Sequence, residues 1–457
     1  MKARLTKLWQ DLLGSYYFIP ALMALAAILL AVLTSHLDKA LDDSAMRKLG
    51  WFYSNKADGA RAILTTIAGS MITVAGVTFS MTMVAVSSAS SQFGPRLIGN
   101  FMRDKGNQFT LGTFTATFVY CLLILRIART GDGGSAEDAI AEFVPNISLL
   151  TAIALALASV AVLIYFIHHI PETLNVGNIT AKVGKELRAS IHKPLFCNVG
   201  REPEAEKTTG LDLSKLNYVS ICADSDGYIQ TVDGQSLLNT AKKYDGILEL
   251  IKLPGDFIVE REVIAKIYAD IEDEEQCSTN VRSCFALGHE RTAHQNTLFL
   301  ADELVEILGR ALSPGINDPY TAINCIHWFK STINVFSQSA EVPQYRCDQD
   351  EKLRLKVMPL SYDKFVSVLC DKSRPYVCTD LNTSIAMLEM LEQCLSIEKN
   401  HLRKDLLVIK IKHLVDDCEC ALKSEHGRKI ISAKASNILK EDQASRRATV
   451  STSCDGL

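Results

Sequence analysis

Apolar and polar positions divide this chain into two unlike parts. The first third holds nearly all the long apolar runs, and the remainder alternates short apolar runs with turn signals. A helix needs about 20 apolar residues to cross the hydrocarbon layer of a bilayer. Four runs are long enough: Tyr16 to Thr34, about Ala62 to Ser88, Phe109 to Leu125, and Ile147 to Ile167. Tyr16 and Tyr17 stand at one mouth of the first run as interfacial anchors. Arg126 and Arg129 close the third run, and His168 and His169 follow the fourth. Lys2, Arg4 and Lys7 precede the first run, as in a secretory leader. Its core is longer than the roughly 7–15 residues of such a leader, and no small-x-small cleavage pattern stands out, so the run reads as an uncleaved anchor.

Short flanks rich in Lys and Arg mark the cytoplasmic side. The amino-terminal tail carries Lys2, Arg4 and Lys7, and the second connection carries Arg96, Arg103 and Lys105. The third connection sets Arg129 against Asp132, Glu137, Asp138 and Glu142. With four crossings this predicts both termini in the cytoplasm and a multi-pass protein of the cell inner membrane. The loop from Asp38 to Ala60 then lies outside, and its Lys39, Arg47, Lys48 and Lys56 are the weakest vote.

Within the second run, steps of three and four place Thr66, Gly69, Thr73, Gly76, Ser80, Met83, Ser87 and Ser90 along one seam of a helix. The third run repeats the device with Thr110, Thr113, Thr117 and Tyr120. The first and fourth are mostly Leu, Ala, Ile and Val. The simplest arrangement in lipid puts the second and third helices at a protein interior or an oligomer axis, with the first and fourth outside. Two readings of the seams stand. Small and hydroxylated residues let helices approach closely, which is their commoner use. Hydroxyls also line narrow aqueous paths that carry no fixed charge. No Asp, Glu or Lys lies deep in any run, which argues against a carboxylate-driven carrier or a proton relay. Arg61 to Phe93 would span roughly 50 Å as a helix, more than the hydrocarbon layer. Gly94-Pro95 stops it, and Arg96 then sits at the inner mouth, either reaching to lipid phosphate or forming a ring in an oligomer.

Composition alters this picture little. At 457 residues there is room for two or three domains, and the formal charge of −4 gives no global attraction to nucleic acid. Of 13 cysteines only Cys121 lies in the membrane third; none forms a Cys-x-x-Cys pair, which points to reduced thiols.

After His169, "GNITAKVGKELRASIHK" reads as an amphipathic helix leaving the membrane, and "GREPEAEKTTG" as a polar linker. Short β-type runs follow: "NYVSICA", "YIQTVD", "ILELIKL" and "DFIVE", with a helix near Gln235 to Lys243. In "CFALGHERTAHQNTLFLADELVEILGRALSPGINDPYTAINCIHWF", Leu298, Ala301, Val305, Leu308 and Leu312 form a helical apolar stripe. It ends at Ser313-Pro314-Gly315, and a second helix starts after Asp318 with Pro319 at its first position. "SPGINDP" is thus a corner by local chemistry; the alternative makes Arg310, Asn317 and Asp318 a polar binding cluster. His289, Glu290 and His294 miss the His-Glu-x-x-His spacing of a zinc site. The chain carries no phosphate-cradling loop, nucleophile elbow, dinucleotide fingerprint or zinc signature. No cofactor, no metal and no enzymatic activity are expected.

Three phrases together resemble a family of predicted bacterial integral membrane proteins classed as a domain of unknown function. They are "ILTTIAGSMITVAGVTFSMTMVAVSSASSQFGPRLIGNFMRD", "FALGHERTAHQNTLFLADELVEILGRALSPGINDPYTA", and "DGYIQTVD" with "PGDFIVE". The resemblance implies four crossings and a cytoplasmic carboxy-terminal domain, with no established activity. It also implies an acidic residue after the glutamine, where this chain has Asn296. The expected fold is a multi-pass α-helical membrane domain (residues 1–170), then a connecting helix and linker (171–216). A small α+β module (217–275), a mostly helical domain (276–440) and a disordered tail (441–457) follow. The expected function is an oligomeric, channel-like protein passing a small ion or solute, with the lipid bilayer and further copies of itself as partners and a soluble gate or sensor. The alternative is a non-conducting membrane scaffold or sensor.

Overall fold

The computed structural model describes residues 15–40, 57–94, 104–128, 144–204 and 213–454. The chain forms two compact units, residues 11–175 and a second built on residues 176–457.

The membrane unit holds the four expected helices: α1 (Phe18–Ala40), α2 (Ala57–Phe93), α3 (Lys105–Ile127) and α4 (Asn146–Leu174). All four are long and apolar enough to span a bilayer. Each continues past the carboxy-terminal end of the run that predicts it, while α1 begins two residues inside its run, at Phe18. α3 is central, packing against α1, α2 and α4. Ala27, Ala31, Ala60, Leu64, Ala68, Tyr120, Cys121 and Ala152 share one buried cluster. Alanines at these contacts let the backbones close up where lipid offers no hydrophobic drive between helices. Asp104 caps α3 by accepting from the Asn107 amide at 3.0 Å.

The second unit begins with α5 (Val176–His192), whose Ile179, Val183, Gly184 and Leu187 are buried. Five strands form one sheet in the order β1-β5-β3-β8-β7: β1 (Val219–Cys222), β3 (Ile247–Leu250), β5 (Val263–Tyr268), β7 (Tyr345–Cys347) and β8 (Leu353–Lys356). A second sheet runs β4-β2-β6, from β2 (Gly227–Val232), β4 (Phe257–Ile258) and β6 (Phe285–Gly288). Helices α6 (Gly234–Lys243) and α7 (Glu274–Arg282) complete this part, with Ile221, Leu237, Leu248, Ile267, Val281 and Leu355 in one core. The four runs read as strands become β1 to β4. The sheet reaches beyond residues 217–275, however, because β8 pairs parallel to β3 through Leu248 and Leu355. That pairing joins segments about a hundred residues apart, which no local pattern announces.

The rest is helical: α8 (Thr297–Ala311), α9 (Pro319–Gln338), α10 (Tyr362–Val377), α11 (Leu381–Ile397), α12 (His401–Ala421) and α13 (Glu425–Cys454). α8 is buried on nearly every side, not along one stripe only, and Asp302 and Glu303 lie inside with Leu300, Leu304 and Leu308. α13 continues through residues expected as a disordered polar tail. Arg446 explains part of the difference: it pairs with Asp405 of α12 at 2.6 Å and with Asp442 one turn back at 2.7 Å.

Candidate functional site

The two hydroxyl seams of the membrane unit face different surroundings. On α3, Thr110, Thr113 and Thr117 are buried within the unit. Thr110 and Thr113 donate to their own helix at the carbonyls of Gly106 and Phe109. Thr117 meets Ser159 of α4 at 3.1 Å. This seam packs helices of one chain.

On α2 the seam points the other way. Leu64, Ala68, Met71, Ala75, Thr78 and Thr82 are buried. On the opposite side Thr66, Gly69, Thr73, Gly76, Ser80 and Ser87 are all exposed. A Cβ added at Gly69 or Gly76 would meet nothing within 4 Å, so neither glycine is required by a contact inside the chain. Glycine in a helix interior costs about 1 kcal/mol relative to alanine. Thr66 and Thr73 satisfy their hydroxyls on the carbonyls of Ala62 and Gly69, at 2.8 and 2.9 Å. The outward positions of α1 and α4 carry large apolar residues, among them Leu25, Leu29, Val32, Leu157, Ile164 and Ile167, and on α2 the seam alternates with exposed Ile72, Val77, Phe79, Met81 and Val84. The seams of α2 and α3 therefore do not share one face, contrary to the simplest sequence arrangement. The small apolar residues of α2 pack on α3, and this turns its hydroxyls outward.

Two ionisable groups fix the ends of this unit, and reading the runs alone did not find them. Asp38, near the end of α1, accepts from the Ile147 and Ser148 amides at 2.7 and 3.1 Å and from the Ser148 hydroxyl at 2.6 Å. It supplies a carboxylate to N–H groups that begin α4 and have no partner within the helix, where the helix dipole favours negative charge. Asp104, at the start of α3, lies 2.9 Å from His169 Nε2 on α4. An aspartate ahead of an apolar run is a legible cap; its partner across 65 residues is not. Arg96 lies outside the described residues.

In the second unit Asn317 is exposed and adopts a left-handed φ of 52°. Asp318 accepts from the Thr321 amide and hydroxyl at 3.1 and 2.6 Å, capping α9, and Arg310 lies 3.5 Å from Glu306 of its own helix. Of the three, only Asp318 has a side-chain contact that forms the corner between α8 and α9, and Arg310 pairs within α8. A denser polar group stands at Asp302, whose two oxygens take Arg291 and Lys372, each at 2.6 Å. Glu249 is held below the usual carboxylate range: burial opposes this, and bonds from Lys356 and Tyr268 outweigh it.

Four apolar spanning helices joined to a sheet-and-helix unit define a multi-pass membrane protein with a large extramembrane part. The chain belongs to a family described as "Predicted membrane protein (DUF2254)", which it matches over residues 14–393. It is similar to an uncharacterised protein of Mycobacterium bovis and to one of Mycobacterium tuberculosis. Each is 30% identical over 345 residues, covering 73% of this chain and 63% of the relative. The chain thus spans less than two thirds of the length of these curated relatives. No solved structure matches it.

Proposed function

We propose that this protein assembles in the cell inner membrane as a homo-oligomer, with both termini cytoplasmic, and lets a small ion or solute cross beside α2. The second unit acts as gate or sensor, and the chain performs no chemical step of its own. The observation that carries this is the outward seam of α2: exposed hydroxyls and two glycines whose added Cβ would meet nothing within 4 Å, so that no contact inside the chain calls for them. A face of this kind suits close approach of another helix or a water-filled path better than acyl chains. Purified protein in liposomes tests it: ion flux under an imposed gradient supports the path, and none under any gradient removes it. Thr73→Val with Ser80→Val is expected to alter conductance while leaving the oligomer intact.

A second reading is a non-conducting scaffold or sensor. Thr66 and Thr73 already bond to carbonyls of their own helix, so these two hydroxyls are satisfied without water. Under that reading the same double substitution disrupts assembly and no flux is seen.

A further inference from the structure

Only Asn175 stands between the last membrane helix and α5, and its extended backbone (φ −65°, ψ 118°) ends α4 there. One side of α5 is already occupied. Ile179, Val183, Gly184 and Leu187 are buried in the second unit, and a Cβ on Gly184 would strike the Trp328 indole. The apolar stripe of α5 is therefore not free to sink into lipid, which is how an amphipathic helix beside a membrane ordinarily binds. At 3.6 residues per turn the opposite side carries Lys182, Lys185 and His192, with Arg188 on its flank, and all four are exposed. Lys193 follows the helix and is exposed as well. Glu186 is the one acid from Val176 to Lys193. None of Lys182, Lys185, Arg188 and Lys193 pairs with a carboxylate among the described residues.

We propose that the basic side of α5 binds the phosphate groups of anionic lipids at the surface of the bilayer that α4 crosses. Connectivity supplies the proximity. The apolar run ends at Ile167 and α5 begins at Val176, so the chain holds that start within about 15 Å of the hydrocarbon layer. Charge supplies the choice of partner. Lys and Arg clustered beside a membrane helix attract an anionic leaflet, and the attraction fades over a Debye length of about 8 Å at physiological ionic strength. The Arg188 guanidinium can take a phosphate through two parallel bonds, while Lys182 and Lys185 act as point charges. With the apolar stripe held in protein, the contact is electrostatic, sensitive to salt and reversible. It goes beyond the permeation reading and shares with it only the placement of α1 to α4 in a bilayer.

The test is brief amine acetylation of the full chain in nanodiscs of phosphatidylcholine, with or without phosphatidylglycerol, read by peptide mass spectrometry. Lys364 of α10, exposed and remote in sequence, is the internal reference. Acetylation of Lys182 and Lys185 relative to Lys364 is expected to fall several-fold when phosphatidylglycerol is present. The protection should fade in about 0.5 M NaCl, where the Debye length is roughly halved. Equal acetylation in the two lipids overturns the proposal, as does protection that salt leaves unchanged. Glycerol 3-phosphate added to neutral discs should protect neither lysine; protection there assigns the face to a soluble anion and overturns the lipid assignment. A second measurement uses Lys182→Gln, Lys185→Gln and Arg188→Gln combined, all at exposed positions. Native mass spectrometry should find fewer phosphatidylglycerol molecules retained by this variant than by wild type, and equal retention overturns the proposal. No flux is measured, so failure here is distinct from failure of the permeation reading.

Discussion

Tyr120 Oη lies 2.9 Å from Thr34 Oγ1 and donates to the Ser148 carbonyl at 3.1 Å. One hydroxyl on α3 thereby ties α1 to the first turn of α4, with the whole tyrosine out of contact with solvent.

Tyr120→Phe keeps the ring and removes that link, leaving the Ser148 carbonyl without this donor. That carbonyl keeps its bond within α4, so the cost is that of one lost hydrogen bond, about 0.5–1.5 kcal/mol. Unfolding in mixed detergent micelles is expected to shift by this amount, and an unchanged transition counts against the tie.

Gly184 of α5 lies against Trp328 of α9, where a Cβ would stand 2.2 Å from the indole ring. Gly184→Ala overpacks this contact and is expected to destabilise the second unit by about 1–3 kcal/mol. Gly315, whose Cβ would meet nothing within 4 Å, is the matched control; Gly315→Ala is expected to leave the same thermal transition nearly unmoved.

Asp348 is almost fully buried, accepting from Arg354 Nε at 2.7 Å and from the Asp350 and Lys352 amides at 2.9 and 3.0 Å. Burial alone would raise its pKa; these bonds prevail and hold it below the ordinary value. A carboxyl depressed on folding stabilises above its unfolded pKa of about 3.9 and loses that contribution as pH falls through the folded value. Asp348→Asn should therefore lower stability at pH 7 and flatten its decline below about pH 4, read from urea transitions across pH 3–7.

Thiol reactivity should follow burial. Cys394 and Cys370 are pushed up to about 12, and Cys325 further still, in each case first by burial. Cys197 and Cys420 are exposed. The thiolate is the reactive form, so iodoacetamide at pH 8 should modify Cys197 and Cys420 first. Cys325, Cys370 and Cys394 should react only on unfolding, as peptide mass spectrometry over time would show.

Local chemistry made much of this protein legible. The four spans follow from run length, because a bilayer imposes one thickness on every crossing helix. The cap at Asp318 follows from residue type, because its side chain answers the amide three residues on. The hydroxyl seams follow from helical period alone. Tertiary structure decided which way each seam faces: Ala68 and Met71 pack towards α3, and that leaves Thr73 and Gly76 outward. It likewise decided that Leu355 pairs beside Leu248, and that His169 meets Asp104. The reason is the range of the forces concerned. Period, run length and capping act within a few neighbours of one chain segment, whereas facing and pairing depend on which distant surfaces leave the fewest groups unmet.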